Sequence, residues 1–194
     1  MKKDIIIFVG LFLIASFCSA QLKYGPRVSL GSTSLGGGNT SFGFQVGLFI
    51  NAELKDRMGL QPEVLFSIKN GSQNGSFEGA SGPVKTKTRY TFTYIDIPLY
   101  GYVPVSKHIT FLAGPQIGVV NKATQITTGP GISGDDAKRT DVAETKAKMG
   151  IAAGIDFNLS SPLRFGLRFS TNGGSPFGGK STFVGATMAY YMDW

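Results

Sequence analysis

Residues 42–54 read Phe-Gly-Phe-Gln-Val-Gly-Leu-Phe-Ile-Asn-Ala-Glu-Leu, and this alternation decides the fold. Side chains two residues apart in a β-strand share one face. One face of this stretch carries seven apolar side chains: Phe42, Phe44, Val46, Leu48, Ile50, Ala52 and Leu54. The other face carries glycine, amide and acidic residues together with Phe49. The stretch therefore predicts a β-strand with one fully apolar face.

Seven further stretches repeat this period of two, and each predicts a strand. They run over residues 23–31, 58–69, 90–105, 109–121, 149–159, 163–170 and 184–194. The stretch 90–105 is irregular, because its apolar set changes phase near Tyr94-Ile95-Asp96 and Pro98 cannot donate a hydrogen bond to a neighbouring strand. A bulge in this strand is the simplest interpretation.

The connections between these strands alternate in length. Residues 55–57, 106–108 and 160–162 are short links, whereas 32–41, 70–89, 122–147 and 171–180 are long and rich in Gly, Ser, Thr and Asn. Outer-membrane barrels have short turns on the periplasmic side and long loops outside. The pattern predicts an all-β fold, an eight-stranded antiparallel up-and-down transmembrane β-barrel of the outer-membrane type, with both termini in the periplasm.

Alternation alone leaves two orientations of the wall open. A secreted lipocalin-like barrel would turn its apolar face inward. The polar face here is rich in glycine, which suits the narrow interior of an eight-stranded barrel. Its few charges are mixed in sign and could pair inside the lumen. We therefore predict a lumenal polar network made of Arg27, Glu53, Glu63, Asp96, Asp156, Arg164 and Arg168.

Aromatic residues provide two further predictions. Apolar and aromatic residues end the chain at Tyr190, Met192 and Trp194, which resembles the assembly signal read by the outer-membrane insertion machinery. Girdles of aromatic side chains flank the apolar band of membrane barrels. One predicted girdle contains Tyr90, Phe92, Tyr94 and Phe183, and the other contains Tyr24, Tyr100, Tyr102, Tyr190 and Trp194.

The first twenty residues have the features of a secretory signal peptide. Lys2 and Lys3 precede an apolar run from Ile5 to Phe17, and Cys18-Ser19-Ala20 supplies small residues for cleavage after Ala20. Cys18 could instead be a lipoprotein cysteine, although the bulky Phe17 before it disfavours that interpretation. The expected organisation is a signal peptide over 1–20 and a barrel domain over 21–194 in the cell outer membrane.

Composition argues against several functions. Without Lys2, Lys3 and Asp4 the chain keeps 17 Lys and Arg against 11 Asp and Glu. The basic residues are scattered along the chain and do not form a basic stripe. We therefore expect no nucleic acid as a partner. No cofactor or metal is predicted. An acidic group could hold a surface calcium ion, but its spacing is not that of an EF-hand and a solvated loop is favoured. That group is Asp135, Asp136, Asp141 and Glu144.

Catalysis and solute conduction are both disfavoured. Enzymes on small outer-membrane barrels rely on histidine with serine or acids at the outer rim. The one histidine, His108, falls in a predicted periplasmic turn beside Lys107. Eight strands enclose an interior that side chains can fill, whereas porins need about sixteen. The sequence predicts neither an enzyme nor a porin.

Several features resemble those of a known family in their order along the chain, beginning with the signal peptide and the Gly-rich first hairpin. Tyr-Ile-Asp-Ile-Pro-Leu at 94–99, Phe-Leu-Ala-Gly-Pro at 111–115 and the aromatic terminus are similar to the Bacteroidota outer-membrane β-barrel family that includes PorT-like proteins. The resemblance implies an eight-stranded barrel in the outer membrane, and some members are linked to protein secretion.

The favoured function is a structural or surface-interaction protein that acts through exposed loops 70–89 and 122–147. The alternative is an accessory component of a secretion or envelope-assembly complex, and a lipid-modifying enzyme is less favoured. Expected partners are outer-membrane lipid, the insertion machinery during assembly, and other envelope or secretion proteins.

Overall fold

A computed structural model describes residues 21–36, 38–55, 57–79, 82–129, 138–142, 147–160, 162–173 and 180–193. The described chain is built from ten strands. They are β1 Gln21–Leu35, β2 Asn39–Lys55, β3 Met58–Gly79, β4 Gly82–Pro104, β5 Ile109–Thr128, β6 Lys138–Val142, β7 Ala147–Ser160, β8 Leu163–Asn172, β9 Ser181–Tyr190 and β10 Met192–Asp193. No helix in these ranges is long and apolar enough to cross a membrane. The predicted signal peptide lies outside the described residues.

Eight of these strands close into a ring. The order is β1-β2-β3-β4-β5-β7-β8-β9, and β9 pairs again with β1, every pairing being antiparallel. The short β10 continues along β1 in the register that β9 established. The short β6 pairs with β5 above the ring. The predicted eight-stranded antiparallel barrel is confirmed.

The stagger of the ring follows from the strand register. A path through register partners leaves β1 at Leu22 and returns to β1 at Ser32, ten residues further along. The successive partners are Leu22, Ala52, Leu60, Gly101, Ala113, Ala153, Phe169, Val184 and Ser32. Closing a sheet with such a stagger tilts its strands by about 35–45° from the barrel axis.

The wall has its apolar face outward. Leu48 in β2 is 64% exposed, whereas its neighbour Phe49 is 2% exposed and points into the lumen. The same alternation holds in β8, where Leu167 is 54% exposed and Arg168 is 3% exposed. Since a soluble barrel would bury the apolar set, the predicted orientation of the two faces is confirmed.

Glycine on the inner face permits close approach of neighbouring strands. A Cβ atom on Gly114 in β5 would fall on the carbonyl oxygen of Leu99 in β4. A Cβ atom on the outward-facing Gly101 would meet nothing closer than 3.8 Å. The narrow interior therefore requires glycine at Gly114, while the outer position at Gly101 leaves space.

The two ends of the barrel differ in length. At one end, here named the turn end, short links join β2 to β3, β4 to β5 and β7 to β8, as predicted. At the other, the extended end, β3 and β4 remain paired as far as Gly79 and Gly82. The prediction of a loop over 70–89 is therefore wrong, because the Ser, Asn, Lys and Thr residues of this stretch continue the ladder.

The predicted loop 122–147 also contains sheet. β5 continues to Thr128, and β6 pairs with its residues 123–127. We name the part of the sheet beyond the apolar band the outer sheet: residues 70–79 of β3, 82–93 of β4, 122–128 of β5 and all of β6.

In the outer sheet and at its base, inward and outward positions of β4 still alternate, but the apolar side chains lie on the inner face and the polar ones on the outer face. Phe92 and Tyr94 are buried inside, whereas Arg89 and Thr91 face outward and are exposed. Phe183, Tyr100 and Tyr102 are also buried in the lumen, so the predicted aromatic girdles are wrong for these five side chains. Tyr90 is half-buried against the same inner cluster. Only Tyr24 and Tyr190 of the described girdle residues lie exposed on the outer face, and Trp194 lies outside the described residues.

The prediction of a bulge within the strand 90–105 is wrong, because the extra residue lies on the neighbouring strand β5. β4 keeps an unbroken alternation from Gly82 to Val103. The register with β5 shifts between Thr93 and Tyr94, which pair with Lys122 and Val120. Asn121 of β5 is therefore the extra residue. Immediately on the outer-sheet side of this register shift, the inward side chains of β4 are aromatic and the outward ones are threonines. The apolar residues therefore move from the outward to the inward positions of β4, and β4 needs no bulge of its own.

Candidate functional site

The middle of the lumen holds a four-membered ionic cluster. Arg27 Nη1 lies 2.7 Å from Glu63 Oε1, and Arg27 Nη2 lies 3.6 Å from Asp156 Oδ2. Arg168 contacts both oxygens of Asp156, at 2.7 and 2.9 Å. All four side chains are buried. Two guanidinium groups balance two carboxylates, so the cluster is neutral overall and each charge has a partner.

A second polar cluster lies toward the extended end. Lys69 Nζ lies 2.9 Å from Asp96 Oδ2, and Asn172 Nδ2 donates to Asp96 Oδ1 at 2.8 Å. Gln116 Nε2 donates to Asn172 Oδ1 at 2.6 Å, and Gln45 Nε2 donates to Asp96 Oδ2 at 3.4 Å. Every member is buried. A single buried carboxylate thus organises one ammonium and three amides from separate strands.

Aromatic and apolar side chains close the lumen on either side of these clusters. Near the turn end, Phe49 and Tyr191 pack with ring centroids 4.5 Å apart, and Tyr191 Oη donates to Gln61 Oε1 at 3.1 Å. Near the extended end, an apolar cluster fills the bore: Leu35, Phe92, Tyr94, Val120 and Ala123. Side chains therefore fill the interior at four levels: the aromatic pair near the turn end, the ionic cluster, the second polar cluster and the apolar cluster near the extended end.

The structure places the seven residues of the predicted polar network in three locations. Arg27, Glu63, Asp156 and Arg168 meet in the middle cluster, and Asp96 belongs to the second cluster. Arg164 stacks at the turn end with its Cζ 3.8 Å from the Tyr191 ring centroid. Glu53 is half-buried near the same end. The functional role of these residues stays a prediction.

Sequence reasoning missed the organising partners of Asp96. Lys69 and Gln45 are on the predicted polar faces of their strands, so strand parity could have found them. Asn172 lies in a stretch that we predicted to be a loop, although β8 extends to include it. Which residues pair across the bore depends on the stagger of the ring, and a single sequence does not reveal that stagger.

The outer sheet presents a polar outer surface. Asn74, Lys85 and Lys87 are exposed there, and Thr91 Oγ1 donates to Asn70 Oδ1 at 2.9 Å. An open groove of about 760 Å³ is lined by residues 74–76, 85–87 and 128–129. Among the described side chains, no carboxylate forms an ion pair with these two lysines.

The remaining candidate residues lie elsewhere. His108 is exposed in the link between β4 and β5, with Nδ1 3.2 Å from the carbonyl oxygen of Asn158. Within the described residues, no group of three or more His, Cys, Asp or Glu side chains could hold a metal ion. The side chains of the acidic group 135–144 lie outside the described residues. Of the predicted assembly signal, Tyr190 is exposed on the outer face and Met192 is half-buried in β10.

Residues 19–173 match the family described as "Outer membrane protein beta-barrel domain". The chain belongs to this family. It is therefore an outer-membrane β-barrel protein, and the apolar outer face of the ring is the surface that meets lipid. No curated protein matches the chain.

Solved structures show a similar barrel. Neisserial surface protein A (NspA) is 10% identical with a TM-score of 0.55, over 87% of this chain and 96% of that one. A second structure is that of Ail, the attachment invasion locus protein of Yersinia pestis, in complex with the heparin analogue sucrose octasulfate. Ail is 11% identical, with a TM-score of 0.45, over 89% of this chain and 99% of that one. At such identities the likeness to NspA supports the fold alone.

Proposed function

We propose that this barrel is a surface-interaction protein that presents its outer sheet outside the cell. The observation that carries the proposal is the length of the β3–β4 hairpin. The outward apolar side chains of this pair end at Ile68 and Ile95, yet the pairing continues to Gly79 and Gly82. A barrel that served only as a membrane anchor would need no such extension.

The extension is about as long as the apolar band of an outer-membrane barrel is tall. Gly82 lies thirteen residues beyond Ile95 along β4. With a rise of about 3.3 Å per residue and a tilt of about 40°, the hairpin reaches roughly 30 Å past the last lipid-facing residue. Since the short links of outer-membrane barrels face the periplasm, the proposed location of this extension is the cell exterior.

The base of the outer sheet is ordered by the apolar cluster at its junction with the membrane wall. Phe92 and Tyr94 pack inside with ring centroids 6.0 Å apart, and Lys69 Nζ lies 4.6 Å from the Tyr94 ring centroid. Higher up, Thr88 and Thr127 hydroxyls lie 3.2 Å apart across β4 and β5. A sheet held in this way offers a preformed surface, which reduces the entropy lost when a partner binds.

The sealed lumen supports the interaction role over transport. The two ionic clusters and the aromatic layers occupy the bore of the eight-stranded ring. Passage of a solute would require breaking buried ion pairs, each of which is costly to leave uncompensated. The activity is therefore assigned to the outer surface.

The alternative function is that of an accessory component in a secretion or envelope-assembly complex, as the PorT-like resemblance implies. The exposed polar surface of the outer sheet could also receive a protein of such a complex. A lipid-modifying enzyme has less support, because His108 lies at the turn end, on the opposite side of the membrane from the outer sheet.

Site-specific labelling tests the proposed orientation. We expect an Asn74→Cys variant to react with a membrane-impermeant maleimide on intact cells, because Asn74 is exposed on the outer sheet. A Lys107→Cys variant at the turn end is the matched control and should react only after permeabilisation. The opposite labelling pattern would refute the proposal.

A pull-down distinguishes the functional alternatives. A photo-crosslinking residue at position 74 should capture a surface partner, while the same residue at position 107 should not. Envelope proteins that co-purify in fixed stoichiometry from mildly solubilised membranes would favour the accessory role. A change in the mass of lipid A in a deletion strain would favour the enzyme and contradict the proposed function.

A further inference from the structure

A row of cations follows the outward face of β4. Lys85, Lys87 and Arg89 occupy every second position, and all three side chains are exposed. Lys122 of β5 is also exposed and is the register partner of Thr93, which continues the same face. We name these four residues the cationic row. Within the described part of the chain, none of them forms an ion pair with a carboxylate.

The cationic row continues the lipid-facing surface. Ile95, Ile97 and Leu99 of β4 have the same parity as Lys85, Lys87 and Arg89, and they are exposed on the outer wall of the barrel. A ligand that lies against the isoleucines and extends along β4 would therefore meet Lys122 and Arg89 next. The row faces sideways over the membrane and not away from it.

The heights of the cations suit a lipid with a large headgroup. Arg89 lies six residues beyond Ile95, or about 15 Å along the barrel axis, and Lys85 lies ten residues beyond, or about 25 Å. Lys122, the register partner of Thr93, stands closest to the membrane interface. The upper cations stand where the sugars of a glycolipid would extend.

Uncharged hydrogen-bonding groups accompany the row. The register partners of Arg89, Lys87 and Lys85 on β3 are Ser72, Asn74 and Ser76. Hydroxyl and amide groups can bind both phosphate oxygens and sugar hydroxyls. Like charges spaced two residues apart repel each other, so this arrangement favours an anionic ligand that neutralises them together.

We propose that the cationic row binds the phosphorylated headgroup and adjoining anionic sugars of a glycolipid in the outer leaflet. The acyl chains of that lipid lie against Ile95, Ile97 and Leu99. The inference rests on the proposed function in one respect, namely that the outer sheet faces the cell exterior. Basic residues beside a membrane span attract anionic lipid headgroups in the same way.

The test compares lipid binding by charge variants of the purified barrel. Native mass spectrometry in a neutral detergent counts the molecules of bisphosphorylated lipid A, prepared with its anionic inner-core sugars still attached, that the full barrel retains during a titration. We expect the triple variant Lys85→Gln, Lys87→Gln, Arg89→Gln to bind at least about ten-fold more weakly than the wild type. Added salt should weaken the wild type more than the variant.

Two matched controls keep charge removal separate from folding. Lys107→Gln removes an exposed cation at the turn end, and Lys180→Gln removes one at the extended end outside the row. Both should retain lipid A as the wild type does. A heat-modifiability gel verifies that the triple variant is folded. Equal retention of lipid A by the folded triple variant and the wild type would overturn the proposal.

A soluble polyanion identifies the source of the anion. Phytate carries clustered phosphates without acyl chains, so we expect it to compete with lipid A only weakly. If phytate binds as tightly as lipid A, the ligand is a soluble polyanion and the lipid assignment is wrong. Labelling of Asn74→Cys on cells decides the orientation independently, so a failure of the proposed function is distinguishable from a failure of lipid binding.

Discussion

At the scale of single residues, Leu167 and Arg168 are adjacent in the chain but lie in opposite environments. Leu167 projects toward lipid, and Arg168 forms a bidentate contact with Asp156 inside the lumen. A strand with a side-chain period of two places adjacent residues in solvents of very different polarity. Each position therefore tolerates a different class of substitution.

A charge in the lipid-facing wall should destabilise the barrel. We expect Leu167→Arg to lower the free energy of unfolding in lipid vesicles by about 2 to 4 kcal/mol, as measured by urea titration. Asn74→Arg is the control, because Asn74 is exposed on the outer sheet beyond the apolar band. A similar loss in both variants would contradict the assigned position of the lipid.

The middle cluster should behave as a coupled unit. Arg168→Met leaves buried Asp156 with only the more distant contact to Arg27, at 3.6 Å. We expect the free energy of unfolding to fall by about 3 to 5 kcal/mol, because the substitution leaves a buried charge without its close partner. Asp156→Asn leaves the cluster with one surplus positive charge, and we expect it to lower the free energy of unfolding by a similar amount.

The double variant provides the control for this cluster. Arg168→Met with Asp156→Asn retains the neutral pair of Arg27 and Glu63, whose atoms lie 2.7 Å apart. The double variant should therefore lose less free energy of unfolding than the sum of the two single variants, by about 1 kcal/mol or more. Strictly additive losses in a urea titration would show that the two side chains do not interact.

At the scale of elements, the β4–β5 pair shows how one extra residue is accommodated. Val120 and Ala123 are both buried, although their separation is odd, because Asn121 is inserted between regular sections of β5. Each section keeps its own alternation. The bulge allows the outer sheet to align its faces with those of the membrane wall.

Deletion of Asn121 should leave the barrel folded. The pairs Thr93 with Lys122 and Tyr94 with Val120 can then form one regular ladder without moving a side chain to the other face. We expect the variant to show the same heat-dependent shift in electrophoretic mobility as the wild type. Deletion of Gln116, in the regular part of β5, should abolish it, because every residue on one side of the deletion would change face. Identical gels for both deletions would contradict the assigned bulge.

At the scale of the whole molecule, the stagger of ten residues brings distant strands together across the bore. It places Arg27 of β1 beside Glu63 of β3 and Asp156 of β7, and it places Asp96 of β4 beside Asn172 of β8. Two polar clusters and two apolar layers then fill the interior. The result is a closed cylinder whose accessible chemistry lies at the extended end.

A closed cylinder should not conduct ions. We expect the purified barrel to insert into planar lipid bilayers without producing steady conductance in 1 M KCl. Insertion itself is verified by protease protection in vesicles. A 16-stranded porin in the same bilayers serves as the positive control. Reproducible open-channel steps from the barrel would show that the lumenal clusters do not seal the bore.

The sequence by itself determined the two faces of the strictly alternating strands. Residues 42–54 alternate strictly, and their apolar set does lie outward in β2 except that the small Ala52 is covered. The short links at the turn end were also readable from the sequence, because the apolar periods stop and restart there. Strand period and turn composition are local properties, so they are encoded within a few residues.

Only the tertiary structure decided where the membrane part of the wall ends. The polar stretch 70–89 has the composition of a loop, yet its two halves pair as a hairpin because the strands beneath already hold them in register. Phe92 and Tyr94 likewise became core residues because β4 keeps one alternation along its length, and the stagger of the ring places them beside Lys69 and Val120. Pairing across the bore depends on the closure of the whole ring, and no single segment contains that information.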